Sequence, residues 1–344
     1  MNESPTNANP GHEFQFRAGE LFPLFIPSAV AFAGLVLLLH ALNGFNWLPT
    51  PEPALTGDEF VMKNRFEKAL SNDPAEVLII GDSSSVMGVD ASALTGSLPG
   101  NPPAYNFGLF LGLPLEVYAE PASMFIEHHP EQVRLVVLLT TFSRLEDGQH
   151  TPQSLAYWRN LTNLSKGPSP AGGDTPMHDL FLVQALGERF LPRLLPFVAH
   201  GEIGVFYGNT VLSRKFLSER AGSAFSRGVY NRNGASGKIR WGVEEGALKQ
   251  SLLVRKLIPA NVALAFAVMP APESYVTSDS IAQRRRVMAA LNSNLQADYL
   301  LFDLLTTMPD GYFSDLVHLN LRGQEQFTRL LAAELAKLPV WDKR

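Results

Sequence analysis

Four short apolar runs most constrain the fold of this chain: Val77–Ile80, Val133–Thr140, Asn261–Val268 and Tyr299–Leu304. A strand with one wet face alternates apolar and polar residues, whereas these runs are nearly continuous and so predict strands covered on both faces. Helix-length segments separate them, which predicts an α/β fold with a mostly parallel sheet. With 344 residues and 46% hydrophobic side chains there is ample material for a full core. The balance of 28 basic against 33 acidic residues, a net of -5, offers no broad basic surface, so nucleic acid is not an expected partner. The chain has no cysteine, which excludes disulfides, thiolate nucleophiles and thiolate metal sites. No metal site or cofactor is expected, and any chemistry falls to oxygen and nitrogen groups.

The N-terminal part is organised differently. Leu21–Leu42 has 22 residues and no formal charge, and as a helix it would span about 33 Å, close to the apolar thickness of a bilayer. It is expected to be a single transmembrane anchor following a tail over residues 1–20. A signal peptide has a basic start and a shorter apolar region; here Glu3, Glu13 and Glu20 make the start acidic. Arg17 is the one basic residue among the first 50, a bias that favours a cytoplasmic tail and a body outside the cytoplasm. Pro49, Pro51 and Pro53 mark a stiff juxtamembrane linker, taken to reach residue 70. A single α/β domain is expected over residues 71–340. Its alternation is broken from about 145 to 250 by Gly- and Pro-rich stretches (Gly167–Pro176, Asn231–Gly237) around helical patterns such as Leu180–Val198. That interval is expected to be a helical insertion over the ligand-binding edge of the sheet.

The first predicted strand runs into Gly81-Asp82-Ser83-Ser84-Ser85, followed by a short helical pattern for which Asp90 is the expected N-cap. A hydroxyl at a strand-to-helix turn lies at the C-terminal edge of the sheet, beside helical N–H groups that can stabilise an oxyanion. Ser83 is therefore the candidate nucleophile. Alone, the string also suits a turn in which Asp82 and Ser84 bond local backbone. Near the far end stands Ser314-Asp315-Leu316-Val317-His318, before an amphipathic helix carrying Phe327, Leu330, Leu331 and Leu335. An Asp three residues before a His can hold one imidazole nitrogen and leave the other to take a proton from a serine.

These residues resemble the blocks of the SGNH (GDSL-type) hydrolases, whose sheet is flavodoxin-like. Gly81-Asp82-Ser83 is similar to the block carrying the nucleophile, and Asp315-Leu316-Val317-His318 to the block carrying acid and base. The resemblance implies Ser83, Asp315 and His318 as the catalytic triad. It also implies an oxyanion hole from Ser83 and Gly108, the latter in Tyr105-Asn106-Phe107-Gly108. The family's Gly-x-Asn-Asp block is absent, because the corresponding strand ends Leu139-Thr140-Thr141-Phe142-Ser143. Either Thr140, Thr141 or Ser143 donates in its place, with Thr141 the expected third donor, or the hole has only two donors. One branch of the superfamily also lacks the Asn, and its members have an N-terminal anchor and a helical insertion. They partner membrane-bound O-acyltransferases (MBOAT proteins) in D-alanylating teichoic acid or acetylating alginate and other exopolysaccharides. Met269-Pro270-Ala271-Pro272 and the helical segment Ala282–Leu295 also resemble that branch. The resemblance implies an acyltransferase on the inner membrane with its body in the periplasm, an MBOAT partner, and an exopolysaccharide or cell-envelope polymer as acceptor. A carbohydrate esterase with the same triad and a non-catalytic polysaccharide-binding scaffold are the alternatives.

Other residues invite weaker readings. His128-His129 is expected to end a helix, since adjacent His cannot share a helix face. Arg284-Arg285-Arg286 points three ways and is expected to be a solvated face. Arg144 at a strand end is taken as surface. Tyr157, Trp158 and Trp241 could stack on sugar rings or form a small core. Asn160-Leu161-Thr162 has the N-glycosylation pattern, with nothing else to give it a role.

Overall fold

The computed structural model describes residues 18–44, 57–110, 113–141, 155–156, 158–160, 162, 216–225, 228–230, 245–277 and 279–342. The expected helix Leu180–Val198, the Gly/Pro-rich stretches, Ser143, Arg144, Tyr157 and Trp241 lie outside them. The chain divides into two compact units, with α1 (Ala18–Gly44) in the first and the α/β body in the second. α1 is a continuous helix over the charge-free stretch and includes Pro23 and Pro27. Phe25, Ile26, Val30, Phe32, Leu37 and Leu38 on it are exposed. Among the described residues no helix is long and apolar enough to cross a membrane.

Residues 57–69, expected as linker, instead form α2 (Gly57–Ala69). Its Val61, Met62 and Arg65 are buried, so it is part of the body. β1 (Val77–Gly81) follows, then α3 (Ser83–Gly88) and α4 (Ala91–Thr95), which Asp90 caps by accepting from Ser92 N–H at 3.1 Å and Ala93 N–H at 3.2 Å. β2 (Ala104–Asn106), α5 (Glu120–His128) and β3 (Leu135–Thr140) come next. The remainder comprises α6 (Glu245–Leu257), β4 (Ala263–Val268), β5 (Ala271–Pro272), α7 (Ser280–Leu295), β6 (Tyr299–Leu300), β7 (Thr307–Met308) and α8 (Leu321–Leu335).

The main sheet has the order β2-β1-β3-β4-β6 with every pair parallel. β5 and β7 form a separate parallel pair. Three of the four apolar runs become β1, β3 and β4. The fourth is strand only at Tyr299–Leu300 and turns into a 3-10 helix at Phe302–Leu304. Because side chains alternate across a strand, the same runs fill two cores. Leu78, Ile80, Val136, Leu138, Leu264 and Phe266 face Met62 of α2, Phe125 of α5, Val254 of α6 and Met288 of α7. Val77, Ile79, Val137, Leu139, Ala265 and Ala267 face Leu94 of α4 and Phe327, Leu331 and Leu335 of α8. Burying one such aliphatic or aromatic side chain is worth about 1.5–3 kcal/mol, so both layers hold the sheet edge rigid. β1 has β2 on one side and β3 on the other. The chain thus leaves β1 at the point where strand order reverses, where a crevice opens outside the carboxyl ends of parallel strands. Ser83 stands at that point.

Candidate active site

The turn after β1 is unusually tight. Gly81 has φ +146°, and a Cβ there would lie 1.7 Å from the Leu139 carbonyl oxygen of β3, so only glycine fits. Asp82 caps α3 by accepting from Ser84 N–H at 2.9 Å, and Ser83 opens the helix, 5% exposed.

The other half of the site is a short loop held at its base by a bridge between Phe313 and Leu319, both fully buried. Ser314 N–H donates to the His318 carbonyl at 2.9 Å. Asn320 caps α8 at Gly323 N–H, 3.1 Å, and its side-chain amide donates to Gly311 O at 2.9 Å. One residue thus fastens the loop and starts the helix. At the tip, Asp315 Oδ1 accepts from Val317 N–H at 2.9 Å and His318 N–H at 2.8 Å, an Asx-type turn that presets the carboxylate. Its Oδ2 lies 2.7 Å from His318 Nδ1, and His318 Nε2 lies 2.7 Å from Ser83 Oγ. Because a carboxylate only accepts, the Asp315 contact places a proton on Nδ1, and in the neutral ring Nε2 is then free to accept the serine proton.

Burial pushes the Asp315 carboxyl up, but the hydrogen bond and charge of His318 and the two backbone N–H groups outweigh it and hold it below its ordinary 3.8. A depressed carboxylate stabilises the fold fully above its unfolded pKa, and that contribution disappears as pH falls through the folded value. Asp315→Asn is therefore expected to narrow the stability gap to wild type as pH drops below 3.8, read from urea midpoints across pH. At neutral pH the same variant is expected to slow acylation of Ser83 on the order of 10⁴-fold, because the imidazole loses its preferred tautomer. An acylation rate within tenfold of wild type would rule out that role for Asp315.

Ser83, His318 and Asp315 are brought together as a chain of hydrogen bonds; the expected oxyanion donors are not arranged as the sequence suggested. Gly108 N–H already donates to Asn106 Oδ1 at 2.9 Å, and its carbonyl accepts from Arg65 Nε at 3.0 Å. Thr141 donates both its N–H and its hydroxyl to Asp82 Oδ2, at 3.2 and 3.0 Å. The cause is the demand of two buried acceptors, Asn106 and Asp82, which bind the nearest donors. The Ser83 N–H has no acceptor among the described residues. Gly108 remains closely placed, since a Cβ on it would meet Ser85 Oγ at 2.4 Å.

Arg65 and Asn106 went unread in the sequence. Arg65 is fully buried, reaching Gly108 O, Asn64 Oδ1 and Gly222 O, and burial holds its pKa below the ordinary value. Asn106 Nδ2 donates to Ser85 O at 2.9 Å. Together they tie α2 and the segment around Gly222 to the Gly108 turn. No sequence signal singles them out: Arg65 sits among ordinary charges of a helix.

Arg284 corrects an expectation, because it is buried rather than solvated and donates to Met269 O at 2.9 Å and Thr306 O at 3.1 Å. Desolvation lowers its pKa to about 10. Trp158 is fully buried, its Nε1–H on Glu120 Oε2, so it is core rather than a stacking platform. α5 ends at His128, and His129 follows as its cap with Nε2 2.8 Å from Ser71 O. Among the described residues no group of three His, Asp or Glu is disposed to hold a metal. A cavity of about 470 Å³ lined by Asn64, Lys68, Ser92, Tyr105 and Ser218 lies beside β2, and none of the triad lines it.

No family model matches the chain. No curated protein matches it either. Among solved structures it is similar to one from Streptococcus pneumonia, provisionally described as a platelet activating factor. The identity is 14% and the TM-score 0.38, over 88% of this chain and 99% of that one. So loose an overlap carries no functional argument, and the site is read from its own geometry.

Proposed function

We propose that this protein is a membrane-anchored serine O-acyltransferase of the SGNH type. It works outside the cytoplasm beside an MBOAT partner and moves an acyl group, taken to be acetyl, onto hydroxyls of an exported polysaccharide or envelope polymer. The observation that carries the catalytic part is the pair of 2.7 Å contacts from His318, to Ser83 Oγ and to Asp315 Oδ2. Ser83 Oγ attacks the acyl carbonyl while His318 Nε2 takes its proton, and Asp315 steadies the imidazolium. The tetrahedral oxyanion is met by the Ser83 N–H. Collapse breaks the bond to the donor, whose leaving group takes the proton from His318, and leaves the acyl group as an ester on Ser83. A polymer hydroxyl then attacks that ester, giving its proton to His318, and serine is released with its proton returned.

The anchor belongs to this proposal and rests on the charge-free sequence Leu21–Leu42 alone, since among the described residues no helix is long and apolar enough to cross a membrane. Tethering a serine to the membrane that delivers its acyl donor raises the effective concentration of one for the other. Water in place of the polymer hydroxyl would make the same residues an esterase. Ser83→Ala in the native host decides between the two. Acyl content of the exported polymer, measured by NMR after extraction, is expected to fall to background. A rise would make the protein an esterase, and unchanged content at normal expression would leave neither enzymatic role standing.

A further inference from the structure

Asp82 is 1% exposed, and among the described residues no basic side chain pairs with it. Its carboxylate instead accepts five hydrogen bonds. Oδ1 takes Ser84 N–H at 2.9 Å and the Ser84 hydroxyl. Oδ2 takes Thr141 N–H at 3.2 Å, the Thr141 hydroxyl at 3.0 Å and the Thr140 hydroxyl at 3.2 Å. Two of these donors come from α3 and three from the end of β3, so one side chain joins the nucleophile turn to the neighbouring strand. We infer that Asp82 is the positioning residue of Ser83: its carboxylate fixes the start of α3 against β3 so that Ser83 Oγ meets His318. This rests on the reading of Ser83 as nucleophile.

The choice of a carboxylate follows from the donors. Hydroxyls can rotate to accept, but a backbone N–H cannot, and each Asp82 oxygen faces one backbone N–H. An amide of the same shape, turned either way, sets its NH₂ against Ser84 N–H or Thr141 N–H and leaves a buried donor unpaired. Relief comes from rotating the cap, and Ser83 is the next residue along. Both residues of the strand end, Thr140 and Thr141, 2% and 6% exposed, are spent on Asp82. The oxyanion site loses a donor and the nucleophile gains a fixed footing.

The test is the second-order rate at which a fluorophosphonate labels the purified full chain, with melting midpoints measured alongside. Asp82→Asn is expected to label about 10- to 100-fold more slowly than wild type while folded, the usual cost of displacing a reacting atom by about 1 Å. Thr140→Val removes one donor from Oδ2 and is expected to label several-fold more slowly; Thr140→Ser, which keeps the hydroxyl, should stay within about twofold of wild type. A purely structural carboxylate would lower the melting midpoint without slowing the labelling of folded protein. Wild-type rates in Asp82→Asn overturn the inference. If that variant does not fold, equal rates for Thr140→Val and Thr140→Ser overturn it. Wild-type protein that takes no label at all overturns the Ser83 reading, and the role of Asp82 with it. Slow labelling confined to the variants separates the two questions.

Discussion

Ser83→Ala is expected to abolish covalent labelling of the chain by a fluorophosphonate, with Tyr, Thr and the other Ser hydroxyls contributing nothing visible on a gel. The expectation follows from how ordinary a serine hydroxyl is without a base: the Ser83 proton has somewhere to go only because His318 Nε2 lies 2.7 Å away. Removing the nucleophile of such a unit costs on the order of 10⁶-fold, and removing the imidazole about as much, since the two act as one. His318→Ala should therefore also leave the protein dark under conditions that label wild type within minutes. Ser83→Ala trades a small side chain, 5% exposed, for a smaller one, so its melting should stay within a few degrees of wild type. Label persisting on Ser83→Ala at wild-type intensity would place the nucleophile elsewhere.

Gly81→Ala is expected to prevent folding outright. A Cβ at that position would sit 1.7 Å from the Leu139 carbonyl oxygen, at φ +146°, so one methyl group brings both a clash and a disfavoured backbone. Neither can relax cheaply. Gly81 pairs with Leu139 in the β1–β3 ladder, and β3 is held on its other side by β4 over six residue pairs. Moving β3 would break the central pairings of the sheet, and losses above about 4–5 kcal/mol exceed the margin of many domains. The measurement is soluble yield and thermal melting by circular dichroism. A cooperative transition within a few degrees of wild type would show that the turn has another way to close.

The parallel sheet was legible because continuous apolar runs report burial on both faces directly, without knowledge of the partner. β2 was not. Its three residues, Ala104–Asn106, are an edge strand whose pairing to Val77, Leu78 and Ile79 depends on β1 being present already. The last run misled for a similar reason. Tyr299–Leu304 reads as a strand, yet only two residues pair with β4 before Phe302–Leu304 winds into a 3-10 turn. α2 was hidden by the Pro-rich segment before it, and only the covered face of Val61, Met62 and Arg65 shows it to be part of the body.

In the site the division runs through individual atoms. The order of residues by itself determined the candidates Ser83, Asp315 and His318, because Ser83 stands at a strand-to-helix turn and Asp315 and His318 lie three apart, close enough for local backbone geometry to join them. Which N–H and hydroxyl groups remain open to a substrate was decided only by tertiary structure. Gly108, Thr140 and Thr141 carry the right donors, but Asn106 and Asp82 lie close enough to take them, across 58 residues in the case of Thr140 and Asp82. Arg284 shows the same limit, since a helical arginine is solvated until carbonyls at Met269 and Thr306 come within reach. The physical reason is common to all of these: a residue's type sets what it can bond, and a buried donor bonds whatever acceptor the fold brings nearest.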